Sequence, residues 1–139
     1  MGYQQMLMLV LSILIIGIST VIGIQMFNNE MMNFNRKAVI SDMNIFAGVA
    51  NAYYMTPVNM GGGNRTWDVD QLGFWFGYNY DANNNSISND NGVYVFTSSE
   101  DVLTIEGIGK EIGNDGIEFV QVILRFTGYT AEIETTIGN

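Results

Sequence analysis

The sequence predicts an α+β fold, in which one long N-terminal helix packs on a small C-terminal antiparallel sheet of about four strands. Three observations support this prediction. Residues 1–29 carry no charge, apolar side chains then recur at helical spacing as far as Tyr53, and beyond the glycine run 61–63 the period changes to two. With 139 residues, the chain has room for the helix and one small domain, so we divide it into residues 1–56 and 57–139.

The first half of the helix is long and apolar enough to cross a membrane. Residues 6–27 are almost all aliphatic or Met, and about 22 residues extend roughly 33 Å as an α-helix. A cleaved secretory signal would show a basic start, a shorter apolar stretch and a small-residue cleavage site, and the sequence has none of these. We therefore expect this segment to remain in the working protein, in lipid or in the interior of an assembly.

The second half of the helix is expected to be apolar on one face only. Its apolar residues recur at i, i+4, i+7, i+11 and i+14, and we expect them to pack on residues 120–126 of the sheet; they are Val39, Met43, Phe46, Ala50 and Tyr53. Pro57 ends the helix, because the residue before a proline avoids helical backbone angles. The glycine run 61–63 that follows predicts a flexible joint.

Four segments of the C-terminal part alternate between apolar and polar side chains and predict strands: 93–96, 103–106, 120–126 and 131–134. The short polar turns between them predict hairpins and an antiparallel meander. The aromatic segment 72–78 is expected to pack between helix and sheet, and residues 81–92 to form a polar loop. About 80 residues bury little core alone, so the apolar helix face is expected to cover the sheet.

The composition argues against an enzyme and against nucleic-acid binding. Fourteen acidic against five basic residues give a net charge of −9, which repels phosphate, so we expect no nucleic-acid partner for the isolated subunit. The chain has no His and no Cys, and it therefore lacks an imidazole base, a thiol nucleophile and the usual nitrogen and sulfur metal ligands. We expect no catalytic residues, no metal site and no cofactor.

Two acidic patterns have both a functional and a structural interpretation. Residues 81–86 resemble the first half of a calcium loop, but Ser86 stands where a Gly is required and Gly92 where a closing Glu is required. Asp68 and Asp70 could form an acid–base pair, although acidic pairs on a solvated surface are far commoner. We expect a solvated loop and a surface pair.

This architecture resembles the type IV pilins and the related pseudopilins. The resemblance covers the whole chain in architecture, and in residues it rests on roughly the first thirty, where MGYQQ leads into the apolar run. In that family a leader peptidase cuts a short basic leader after a glycine. The resemblance therefore implies a processed, methylated N-terminus at Met1, with cleavage after Gly2, leaving Tyr3 first, as the alternative. It also implies insertion in the inner membrane before assembly and contact with a pilus assembly machinery.

Two positions depart from the pattern of that family. Bacterial pilins usually carry a glutamate that meets the N-terminal ammonium of a neighbouring subunit, and this chain has Gln5 there. An amide still accepts a hydrogen bond but loses the charge attraction, so we expect Met1 and Gln5 to form a weaker version of this N-terminal contact. The C-terminal disulfide of many relatives is missing, because the chain has no Cys. Neither departure removes the basis for filament assembly.

Filament assembly is the function that this pattern predicts. If the apolar helices pack side by side, they form the core of an extracellular filament on the cell surface, a homopolymer of this chain. A pseudopilin of a secretion system and a single-pass, membrane-anchored binding module are the alternatives. The residues expected in the filament core are Leu7, Leu9, Leu11, Ile13, Ile15, Ile16, Val21 and Ile24.

Gly17 and Gly23 mark the expected weak point of the helix. A glycine in a helix interior costs about 1 kcal/mol, and Ser19 and Thr20 between them can bond carbonyls that unwinding would release. We expect the helix to break within residues 16–24 in the filament. Close packing of helices across these small residues is the alternative.

Overall fold

The computed structural model describes residues 2–77, 79–113, 116–128 and 130–134, and it confirms the α+β class. Helix α1 spans Gly2–Met55 and ends just before Pro57, as predicted. A short 3-10 helix at Val58–Met60 and helix α2 at Val69–Phe76 follow. Six strands complete the fold: β1 Tyr80–Asp81, β2 Ser86–Ser88, β3 Gly92–Ser99, β4 Val102–Ile112, β5 Phe119–Thr127 and β6 Thr130–Glu134.

The described strands form one antiparallel sheet in the order β1-β2-β3-β4-β5-β6. The predicted meander is therefore present, but the predicted number of about four strands is too low. Strands β3 to β6 correspond to the four predicted segments, whereas β1 and β2 lie in and beside the segment expected to be a polar loop. They have two and three residues, too few for a period of two to be visible in the sequence.

The core lies between the second half of α1 and one face of the sheet. Val39, Met43 and Ala50 are fully buried, and Tyr53 is nearly so. Alternate residues of the three longest strands face them, because successive side chains of a strand point to opposite faces. On the sheet side the core contains Tyr94, Phe96, Leu103, Ile105, Val122, Leu124 and Phe126.

Phe46 is the exception among the five helix residues expected in the core, because it is only half-buried. Its ring meets Phe76 of α2 edge-on, with 5.5 Å between centroids. It also meets Tyr94 and Phe96 of β3, at 4.8 Å and 5.8 Å. Its ring contacts are thus with α2 and β3, whereas we expected β5. The reason is α2, which brings a further aromatic ring to this edge of the core.

The glycine run caps α1 and is not the flexible joint that we predicted. The backbone amides of residues 63–65 donate to carbonyls of the last helical turn and of Thr56, each at 2.9 Å. These bonds satisfy carbonyls that a helix end otherwise leaves without partners. A side chain at Gly62 would collide with the Thr56 carbonyl, and one at Gly63 would collide with the Tyr53 ring. Glycine is required here for close approach of the backbone.

Candidate assembly surface

The first half of α1 presents a rod of exposed apolar side chains. We call residues 6–27 the stem; every residue in it is exposed. It is the part of the described chain long and apolar enough to span a membrane. Apolar surface in water costs about 25 cal/mol per Å², so lipid or protein must cover the stem on all sides.

The structure places the predicted filament-core residues on this stem. They retain 56% to 64% of their accessible surface; they are Leu7, Leu9, Leu11, Ile13, Ile15, Ile16, Val21 and Ile24. Gln5, one of the two residues expected in the N-terminal contact, is exposed just before the stem. Met1, the other one, lies outside the described residues.

Helix α1 is continuous through the expected weak point in the single chain. Apart from the neighbouring residues and the local helix backbone, no atom lies within 4 Å of a Cβ placed on Gly17 or Gly23, so both positions leave room for close approach of another helix. The Thr20 hydroxyl donates to the Ile16 carbonyl at 2.8 Å. Such back-bonding slightly weakens and often bends a helix. A break within the filament stays a prediction.

Two polar side chains of α1 fix the helix on the sheet below the stem. Asn35 and Asp42, with their partners, form what we call the polar clasp. The Nδ2 group of Asn35 donates to the Asn91 carbonyl at 2.9 Å, and its Oδ1 accepts from the Lys110 amide at 3.0 Å. Gly109 lies against the Asn35 amide so closely that a side chain there would collide with it. The clasp thus joins α1 to the ends of two strands.

The Asp42 carboxylate accepts three hydrogen bonds on one oxygen. Asn89 and Asn91 each donate from Nδ2 at 2.8 Å, and the Tyr94 hydroxyl donates at 2.6 Å. Burial alone would raise the pKa of Asp42, but these three hydrogen bonds outweigh it and lower the pKa below its ordinary 3.8. Burial, with the hydrogen bond and charge of Asp42, raises the pKa of Tyr94. The clasp therefore holds an ionised carboxylate against a neutral phenol at neutral pH.

Sequence reasoning missed the polar clasp, although a signal was present. Asn35 and Asp42 lie four residues before and three residues after Val39, on the same side of α1. Polar side chains in a face that packs on a core need hydrogen-bond partners, because burial without them is costly. This spacing could have predicted two polar contacts between helix and sheet.

The acidic motifs of the sequence have local structural roles. Asp68 is the N-cap of α2, where its carboxylate accepts from the amides of Asp70 and Gln71 at 3.0 Å and 3.3 Å. Asp81 accepts from the Asn83 amide at 2.9 Å in a turn of the candidate calcium loop. Among the residues that the structure describes, no three acidic side chains converge as metal ligands.

The fold and this surface define a chain with an apolar N-terminal helix that could span a membrane, joined to a small α+β domain. No family model matches the chain, and no curated protein or solved structure matches it significantly. Inference about its function therefore starts from the stem and from the domain that holds it.

Proposed function

We propose that this chain is the structural subunit of a type IV pilus-like filament, which polymerises through its stem. One observation carries the proposal: the exposed stem and the helix half buried in the domain core are a single helix, Gly2–Met55. A flexible linker would suffice to attach a domain to a membrane. A continuous helix instead fixes the direction of the domain relative to the stem, which a regular polymer requires.

The apolar surface of the stem supports assembly with identical copies. Complete burial of a Leu or Ile side chain contributes about 1.5 to 3 kcal/mol. Since the eight expected core residues keep more than half of their surface, covering them contributes on the order of 10 kcal/mol per chain in water. Contacts of this kind that do not close on themselves produce an open helical polymer.

Before assembly the same surface fits a lipid bilayer, so the proposal has two locations. The stem is inserted in the inner membrane first and lies in the core of a cell-surface filament afterwards. A leader peptidase and a pilus assembly machinery are partners that the resemblance to pilins implies. The domain then faces outward, and its own residues need no catalytic role.

Electron microscopy of material sheared from cells that produce the chain tests the proposal. We expect long, thin fibres that bind gold-labelled antibodies against residues 57–139. Chain found only in the membrane fraction, with no labelled fibres, would contradict the proposal and favour an anchored binding module. Short labelled stubs retained in the cell envelope would also contradict it and favour a pseudopilin.

A further inference from the structure

One flank of α1, about 120° around the helix from the residues that face the sheet, carries a second apolar surface below the stem. It consists of residues at i, i+7, i+11, i+18 and i+25, which lie within about 40° of one another around the helix; they are Phe27, Phe34, Ala38, Ile45 and Ala52. We call this surface the outer stripe. Phe27, Phe34 and Ile45 are 65%, 59% and 61% exposed. From Val39 onward, where we expected one apolar face only, the stripe contributes Ile45 and Ala52.

The neighbouring face of the same helix is polar, which gives the outer stripe a sharp edge. Lys37, Asn44 and Asn51 follow one another at seven-residue spacing and are all exposed. No charged residue lies on the stripe itself. The Lys37 ammonium on this polar face lies over the Phe34 ring, 5.9 Å from its centre. The contrast is that of a helix with one contact face and one solvated face.

We propose that the outer stripe binds the stem of a second copy of this chain. The proposal rests on the filament function above and specifies which surfaces meet in it. The stripe is continuous with the stem, since Phe27 belongs to both. Its length, about 38 Å over residues 27–52, matches the roughly 33 Å of the stem. Both surfaces are free of charge, so neither leaves a buried ion without a partner.

The contact also supplies free energy that favours the filament over the membrane. In the bilayer the stem is already covered by lipid, and hydrophobic burial favours neither lipid nor protein. The outer stripe begins where the stem ends and faces water while the stem is in the membrane. Its burial against another stem is gained only on assembly.

The matching lengths specify the offset between the two copies. Chains inserted in a membrane by the same route point the same way, so the two helices run parallel. Placing the middle of the stem on the middle of the stripe requires an offset of about 23 residues, or about 35 Å. This offset brings Ile22 next to Ile45 and Leu11 next to Phe34 of the second copy.

Disulfide trapping tests the contact directly, because the chain has no Cys of its own. Ile45→Cys is combined with a single Cys that replaces Val21, Ile22 or Ile24, which together sample one turn of the stem. After oxidation of sheared filaments, we expect at least one pair to give a ladder of covalent oligomers on a denaturing gel. The matched control, Asn44→Cys with the same stem positions, should give monomers. Ladders from the Asn44 pairs, with none from the Ile45 pairs, would overturn the proposal.

A charge on the stripe provides the second test. Ile45→Lys should reduce the yield of filaments more than tenfold, whereas Asn44→Lys on the polar face should leave it unchanged. Thermal unfolding in detergent micelles should be the same for both variants, because neither side chain is in the domain core. Normal filaments from Ile45→Lys would refute this contact alone. Absence of filaments from the unmodified chain would instead refute the proposed function.

Discussion

Removal of the Asp42 carboxylate should destabilise the domain strongly. In Asp42→Ala the hydroxyl of Tyr94, a fully buried residue, loses the acceptor that it has at 2.6 Å. A buried polar group left without its partner costs about 1 to 3 kcal/mol. Asn89 and Asn91 are half-buried and can turn partly toward water, so their lost bonds add less. We expect a decrease of about 2 to 4 kcal/mol in the free energy of unfolding, a large share of the stability of a small domain.

Urea unfolding of the full chain in detergent micelles measures this loss through tryptophan fluorescence. Trp67 is a suitable reporter, because it is 7% exposed and stacks on Tyr54 with 4.6 Å between ring centroids. The double variant Asp42→Ala, Tyr94→Phe removes both partners of this hydrogen bond. Its loss in the free energy of unfolding should be smaller, by at least about 1 kcal/mol, than the sum of the losses of the two single variants. A loss below about 0.5 kcal/mol in Asp42→Ala, or strictly additive effects, would refute the reasoning.

The same carboxylate makes stability depend on pH. The pKa of Asp42 is lowered in the folded chain. The carboxylate therefore contributes fully to the stability of the fold above the unfolded-state pKa of about 3.8, and this contribution is lost as the pH falls through the folded-state pKa. We expect the unmodified chain to lose stability more steeply below about pH 4 than Asp42→Asn does. Parallel profiles for the two chains would show that the carboxylate is not stabilised by the fold.

Three further predictions concern the stem and the edge of the core. Ile15→Asp should abolish filaments in sheared material, because an unpaired buried charge costs several kcal/mol; normal fibres would contradict the core assignment. Phe46→Ala should lower the free energy of unfolding by about 2 to 3 kcal/mol, below the range for a fully buried Phe, while the exposed control Phe34→Ala changes it by less than about 0.5 kcal/mol. A filament density map should show broken backbone hydrogen bonds within residues 16–24, and an unbroken helix there would refute that weak point.

The elements of the fold that could be predicted are those whose pattern persists along the chain. The long helix and strands β3 to β6 repeat their periods over many residues. Helix α2 has only eight residues, and strands β1 and β2 have two and three. Segments this short do not repeat their hydrophobic period often enough for it to be recognised in the sequence. The N-cap of α2 was also missed in the sequence, although Asp68 precedes an apolar stretch.

The features of the candidate surface also fall into those that the sequence could predict and those that it could not. The stem could be predicted, because it is a single uninterrupted run of apolar residues. The polar clasp could not, because Asn35 and Asp42 meet partners 56 and 47 residues away, and only the folded sheet brings those strand ends to the helix. The outer stripe was overlooked for a simpler reason: the core-facing pattern of α1 runs along the same stretch of the helix, on different residues.

The relative direction of α1 and β4 has a mechanical consequence. Asn35 contacts Lys110, and Met43, further along the helix, lies next to Gly107, so the two elements run antiparallel side by side. A force applied along the stem therefore loads their contact in shear, and side chains along the whole interface must slide at once before any of them separates. If the two elements were pulled apart sideways, their contacts would instead break in sequence. We therefore expect a domain joined in this way to resist tension along its stem better than a hairpin that is pulled open strand by strand.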